Sequence, residues 1–329
     1  METNDHCLVS KIDKIEIVDH YIYIMDKLAQ SIYIFNIEGK YIGKINKRGQ
    51  GPGEYVNLSY MTVTDSTIVV IDQLFGKNIE YSRNTLVFLR EERIFEKIWC
   101  TEVFSMPGYI YYINEWSDCA SGKYRLFSSK VGSKEFEMHL PFNKEPLAIG
   151  IDGPIYGISG NTAVIIYMGD DNIYRVTSEG VYPEYEMIYK TPKVVYTSGK
   201  VENVFNDNPS GRVLGISSIQ ESEKYLFLTP GITGNETYTC IYNKQNSKTT
   251  IYNRQTTINS NFDNNGINIK RIINNQIIDW QDAPTLFILN EHVYSKQEFK
   301  NQKFKQQLDV LFENLIEESN PVLFIYNLK

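Results

Sequence analysis

The chain has 329 residues, a length at which closed all-β folds still form one unit. Its 33 basic and 40 acidic side chains give a net charge of -7, which argues against nucleic acid as a partner, because phosphate-backbone binding draws on clustered Lys and Arg. No stretch approaches the roughly 18 to 20 apolar residues of a membrane-spanning helix, and Cys7, Cys100, Cys119 and Cys240 are too scattered for a zinc site or a disulfide framework.

In chain order, the first ten residues lack the basic start and apolar run of a signal peptide. Short runs rich in Ile, Val, Tyr and Phe follow, separated by Gly, Asn, Asp and Ser, the pattern of many short strands. The first four are expected at residues 14–18, 21–25, 31–36 and 41–46. A glycine-rich link, Gly49 to Tyr55 (GQGPGEY), comes next. Shifting the sequence by 46 then places Asp19 on Asp65, Ile22 on Ile68, Asp26 on Asp72, Leu28 on Leu74 and Phe35 on Tyr81, and a second such shift brings Tyr81 to Phe127. Further along, Ile173, Tyr174, Glu179 and Gly180 repeat Ile32, Tyr33, Glu38 and Gly39 at a spacing of 141, three periods of 47.

Each copy ends a strand with a large apolar residue and then a small polar one: Phe35-Asn36, Tyr81-Ser82, Phe127-Ser128, Val176-Thr177, Tyr242-Asn243 and Tyr326-Asn327. The large residue fills space between sheets and the polar one opens a turn. Spacings of 46, 46, 49, 66 and 84 put insertions in the last two copies, at 191–211 and 295–319. The second insertion reads as a helix over 295–318, with Ser295 and Glu298 spaced as a capping box and an apolar stripe of Phe304, Leu308, Leu311, Phe312 and Leu315 packed on the body. Asn320-Pro321 stops it before a last strand at 322–328.

A period near 46 with four strands per copy is one propeller blade. The expected fold is all-β: one domain over 1–329, a six-bladed β-propeller with blades at 14–58, 59–104, 105–144, 145–190, 212–252 and 266–329. N- and C-terminal strands close the last blade, the former from residues 2–9, and one C-terminal helical insertion is added.

In such a blade, the turn between strands two and three and the link to the next blade emerge on one face, which is the first place to seek binding residues. The candidate ligand-binding residues there are Arg48, Glu54 and Tyr55 of the link, with Asp26 and Asp72 at the ends of second strands. Asp170 and Asp171 approach the same face. Against ligand binding, aspartates at such positions also close turns onto local backbone N–H groups, and Glu54 and Tyr55 also suit packing beneath the loop. GQGPGEY has no GK[ST] and no following helix, so it is no phosphate loop.

No metal or cofactor is expected: His6, His20, His139 and His292 lack metal spacing, and no DxDxDG calcium loop supports a divalent cation. Gly157-Ile158-Ser159-Gly160 falls one residue short of a serine-nucleophile elbow. The thiols read as unpaired and buried, with Cys100 and Cys119 the best placed for a bridge.

Ile22-Tyr23-Ile24-Met25-Asp26, Ile32-Tyr33-Ile34-Phe35-Asn36, Glu38-Gly39-Lys40 and GQGPGEY together resemble an NHL-type propeller repeat. With the Asn320-Pro321-Val322 ending and terminal Leu328-Lys329, the chain resembles uncharacterised six-bladed propeller proteins of Bacteroidetes. That resemblance implies an exported protein of the periplasm or cell surface, often lipid-anchored, whose membrane contact runs only through a leader or anchor absent from this chain. It transfers no catalytic residues, since the acidic and histidine ligand patterns of related lyases and lactonases are not recognisable here. The favoured reading is a binding or scaffold module for a glycan, peptide or protein. The alternative is a hydrolase or lyase with a metal or polar site at the central channel.

Overall fold

The computed structural model describes residues 1–94, 98–115, 123–142, 153–194, 210–234, 237–253, 269–292, 294–296, 299 and 302–328. Six antiparallel sheets, each built from strands consecutive in sequence, make the fold a six-bladed β-propeller. The first blade holds β1 (Lys14–Val18), β2 (Tyr21–Asp26), β3 (Ser31–Asn36) and β4 (Tyr41–Ile45). The second holds β5 (Tyr60–Val63), β6 (Thr67–Asp72), β7 (Lys77–Ser82) and β8 (Phe88–Arg93). The third holds β9 (Glu102–Met106), β10 (Tyr109–Ile113), β11 (Tyr124–Lys130) and β12 (Glu137–Pro141). The fourth is β13 (Tyr156–Ser159), β14 (Thr162–Ile165), β15 (Asn172–Thr177) and β16 (Gly180–Glu186), and the fifth is β17 (Val213–Glu221), β18 (Tyr225–Ile232), β19 (Tyr238–Asn243) and β20 (Lys248–Asn253). The last has three strands, β21 (Arg271–Ile273), β22 (Gln276–Gln281) and β23 (Val322–Asn327).

Packing divides the chain into two units, Met1–Ala148 with Val176–Tyr182, and Ile149–Arg175 with Pro183–Lys329. In the first unit β1, β5 and β9 neighbour one another and are the inner strands. Side chains between the first two blades form one core, including Tyr23, Ile32, Met61, Ile68, Val70 and Tyr81. Those between the second and third form another, including Val69, Ile71, Val103, Tyr112 and Phe127. Because a middle strand is covered on both faces, β6 is buried along its whole length and reads as an unbroken TIVVI run. The outer strand β8 alternates half-buried and exposed residues, as a strand with one wet face does.

In the second unit β13, β17 and β21 are likewise neighbours. A buried ion network joins its blades: Arg175 pairs with Glu221 at 2.7 Å and Glu184 at 2.6 Å, and Lys244 reaches Glu221 at 2.9 Å. Glu221 is fully buried, so losing both Arg175 and Lys244 would strand its charge in the core.

Five of the six apolar-polar pairs close the third strand of their blade, while Phe127-Ser128 lies inside β11. β9 starts at Glu102, so the boundary expected between 104 and 105 falls within a strand. The preceding segment serves as a link that buries Ile94, Ile98 and Cys100. The C-terminal strand joins the last blade as β23, whereas residues 2–9 carry no strand assignment. Their start is held instead by the first blade, where the Glu2 amide donates to Gly39 O at 2.7 Å and the Tyr41 amide donates to the Glu2 carboxylate at 2.9 Å.

The helical insertion does fall between the second and third strands of the last blade, but it is two helices rather than one. Helix α1 (Ala283–His292) was not foreseen, and α2 (Gln302–Asn314) is shorter than the helix expected. Asp282 caps α1, its carboxylate accepting from the Thr285 amide at 2.8 Å. Ser295 sits in a 3-10 turn and donates to Glu291 O at 3.1 Å, so it does not start α2; Glu298 lies outside the described residues. The apolar stripe packs with Ala283, Leu286, Tyr294 and Phe324 of the same unit. No described helix is long and apolar enough to cross a membrane. Most of the insertion at 191–211 lies outside the described residues, as does Cys119; Cys100 is buried, its thiol donating to Gln73 Oε1 at 3.5 Å.

Candidate functional site

The glycine-rich link between β4 and β5 is folded around its own polar groups. The Gly49 amide donates to Tyr55 O at 3.0 Å and the Tyr55 amide to Lys47 O at 2.9 Å. The Glu54 carboxylate accepts from the Gly51 amide at 2.8 Å and occupies the space a Cβ on Gly49 would need. Gly53 has φ +70, and a Cβ there would lie 2.5 Å from the Phe88 ring. Its amide donates to Glu91 at 2.9 Å, and its carbonyl accepts from the Tyr81 hydroxyl at 2.7 Å. Tyr55 is buried, with its hydroxyl donating to Gln30 O at 2.8 Å, and burial pushes its pKa up to about 12. Arg48 alone of the three link candidates stands exposed, joined to Tyr55 through the backbone.

Asp26 and Asp72 occupy equivalent places and are fully buried. Asp26 accepts from the Ser10 amide at 2.7 Å, the Ser10 hydroxyl at 2.6 Å and the Ala29 amide at 2.8 Å. Asp72 accepts from the Val56 amide at 2.7 Å and the Phe75 amide at 3.1 Å. Each carboxylate ties the segment entering its blade to the turn after the second strand, satisfying backbone donors that would otherwise be buried unpaired. In the second unit Asp170 accepts from the Asn172 amide at 3.1 Å, and Asp171 pairs with Lys193 at 2.6 Å. Among the described residues no three His, Cys, Asp or Glu side chains come together as a metal site.

A second set of residues on that face of the first unit was not singled out by sequence. Lys14, Tyr60 and Glu102 are the first residues of the three inner strands. Lys27 and Glu115 occupy equivalent positions, one beyond the residue that follows the β1–β2 or β9–β10 pairing. The same backbone bond precedes both, Asp13 amide to Met25 O and Thr101 amide to Ile113 O. The Lys27 ammonium lies 4.8 Å from the centre of the Tyr60 ring. Lys14 bonds Glu102 at 2.8 Å, Glu16 at 3.4 Å and the Val103 carbonyl.

The electrostatics mark these groups as crowded by surrounding protein. Lys27 is open to solvent, yet surrounding protein lowers its pKa, with Glu102 opposing that shift. Burial raises the Glu115 pKa, opposed by a hydrogen bond with Thr101 and reinforced by Glu102. Burial also raises the Tyr60 phenol. Perturbed groups gathered at one place on a surface are a physical pointer to a site. The signal in the sequence was positional: the 46-residue shift that lays Asp26 on Asp72 also lays Lys14 on Tyr60 and Lys27 on Gln73, repeat positions where the residue type changes.

A family model described as a domain of unknown function, DUF4934, matches residues 1–327. No curated protein matches. Among solved structures, the chain resembles a Bacteroides fragilis protein whose name marks it as exported, with TM-score 0.77 and 19% identity over 100% of this chain and 94% of the other. A member of the DUF4221 family from Bacteroides vulgatus gives TM-score 0.48 and 13% identity over 76% of this chain and 83% of the other. Virginiamycin B lyase from Staphylococcus aureus gives TM-score 0.45 and 13% identity over 72% and 68%. At these identities the likeness speaks to fold alone.

Proposed function

Given that the chain belongs to the DUF4934 family, a domain of unknown function, we propose that it is an exported binding module that recognises a glycan, peptide or protein partner on the face where its inner strands begin. One observation carries this reading: the Lys27 ammonium lies 4.8 Å from the centre of the Tyr60 ring, and Glu102 and Glu115 of the next blade act on the same groups, so that side chains from three consecutive blades gather there. A propeller suits the task, since rigid blades hold side chains from distant parts of the chain in fixed relation. Arg48 stands exposed on the same face and supplies an outlying contact. The name of the Bacteroides fragilis protein supports export, and the periplasm or cell surface is the destination this reading assigns.

The test is a screen of glycan and peptide arrays with the purified chain, followed by titration calorimetry on the hits. Binding that weakens at least tenfold in Tyr60→Ala and Glu102→Gln, while both variants keep the native thermal transition, supports the reading. Array hits untouched by both substitutions would place recognition elsewhere.

A second reading has its own observation. The Glu115 pKa is raised and the Lys27 pKa lowered, and opposed shifts in one cluster are how acid and base roles are set apart. On that basis the chain is a hydrolase or lyase with a polar or metal-assisted site. Turnover of a lactone or ester panel that disappears in Glu115→Gln would select it over the binding module.

A further inference from the structure

We propose that the Tyr60 ring and the carboxylates beside it form a cation subsite that Lys27 occupies from within, and that its partner ligand is the basic side chain of a peptide segment, which displaces Lys27 from Tyr60. The proposal rests on the binding reading above and names the chemistry of that partner.

The face of a tyrosine ring attracts a cation, and here the cation over the ring is a lysine from an exposed turn. Two other described cations nearby are already engaged. Lys11 pairs with Asp13 at 3.1 Å, and Lys14 is enclosed by Glu16, Glu102 and the Val103 carbonyl. The Glu102 Oε1 atom accepts from Lys14 at 2.8 Å and from the Val103 amide at 2.8 Å, leaving Oε2 with no hydrogen bond among the described residues, at a side chain that is 26% exposed. With Lys27 swung out, the Tyr60 ring, Glu102 Oε2 and Glu115 have one cation too few. The site therefore calls for an ammonium or guanidinium, and a chain of net charge -7 draws a basic partner.

Lys27 is suited to leave. Its backbone is fixed, with its amide donating to Asp13 at 2.8 Å, but its side chain is held over the ring by no ion pair among the described residues. Protein around the ammonium already lowers its pKa, so moving it to bulk water recovers hydration. A foreign lysine or arginine must compete with this tethered one, and the apparent affinity falls by the fraction of time Lys27 holds the site.

The test is calorimetric titration of the full chain with hexa-lysine and hexa-arginine peptides at low salt, with hexa-glutamate and spermidine as comparison arms. If Lys27 fills the site about nine-tenths of the time, Lys27→Met tightens basic-peptide binding about tenfold. Lys11→Met removes the same charge from a neighbouring position off the ring, and is expected to change affinity less than twofold. Tyr60→Leu in the Lys27→Met background is expected to cancel the gain, and Glu115→Gln to cancel part of it. Equal tightening by Lys27→Met and Lys11→Met would overturn the proposal, since a bulk charge effect then accounts for both. So would persistence of the gain without Tyr60, or spermidine binding as tightly as the peptides. Failure of every basic peptide, alongside an array ligand whose binding Tyr60→Ala weakens, would sink the cation subsite and leave the binding module standing.

Discussion

Two regions of the same face make opposite use of their polar groups. In the glycine-rich link, the Glu54 carboxylate, the Tyr55 hydroxyl and the neighbouring Asp72 carboxylate are spent on the chain's own backbone. A few residues further along, beginning at Tyr60, a second cluster gathers Lys27, Glu102 and Glu115 about a half-buried aromatic ring. The link is conspicuous in sequence and turns inward; the cluster is inconspicuous and turns outward. Residues that stand out because they recur or because glycine surrounds them are here the ones that hold the blades together.

If this contrast is right, changes in the link move stability and leave affinity alone, and changes in the cluster do the reverse. The largest effect is expected from Gly53→Ala. The left-handed backbone and the collision with Phe88 together cost about 3 kcal/mol, read as a lower denaturant midpoint with the affinity of the folded protein unchanged. Asp72→Ala comes next. It leaves the Val56 and Phe75 amides without their buried acceptor and is expected to cost about 2 kcal/mol, with Asp72→Asn milder because one oxygen remains. A loss of array binding that exceeds the loss of folded protein in either variant would break the comparison.

Tyr55→Phe is smaller and carries a pH signature. It removes the bond to Gln30 O, at about 1 kcal/mol near neutrality. Burial lifts the Tyr55 pKa from its ordinary value near 10 to about 12. The folded state thus holds the proton where the unfolded state has begun to release it. The phenol's contribution is intact below pH 10 and is lost as pH rises toward 12, by up to about 1.4 kcal/mol per pH unit. Tyr55→Phe lacks this loss, so its deficit against wild type is expected to shrink between pH 10 and 12 in alkaline unfolding curves. Tyr23 and Tyr111, both pushed up to about 12 by burial, keep some alkaline sensitivity in the variant.

The blades were legible because packing repeats: Phe35, Tyr81, Phe127 and Val176 recur at one position of the repeat and are all buried, Tyr81 between the first two sheets and Phe127 between the second and third. The cluster around Tyr60 was not, for two reasons. Its residues occupy repeat positions but differ in type, Lys14 against Tyr60 and Lys27 against Gln73, so self-comparison passes over them. The third copy also slips: Tyr81 and Phe127 are 46 apart, but Tyr60 and Glu102, like Gln73 and Glu115, are separated by 42. The link into the third blade is shorter, and the connection between β10 and β11 restores the register, so a search at one fixed period misaligns the inner hairpin of the third blade. Helix α1 escaped for a local reason, since its APTLFILNEH sequence has no amphipathic stripe and its Asp282 cap is a single residue.

The smallest expected effect on stability belongs to Glu115→Gln, and its sign separates the regions most sharply. The carboxyl's pKa is raised by burial, so its charge is unwelcome in the folded state. Its stabilising contribution is complete below the ordinary glutamate pKa and fades as pH climbs through the raised one. Gln keeps the shape without the charge. The variant should therefore melt at the wild-type temperature near pH 4 and slightly above it at pH 8, whereas every link variant melts lower at both. A group that weakens the fold when ionised, yet stays partly exposed beside Glu102, has its use outside the fold; if Glu115→Gln instead lowers the melting temperature at pH 8, Glu115 is a packing residue like Glu54 and the contrast between the two regions dissolves.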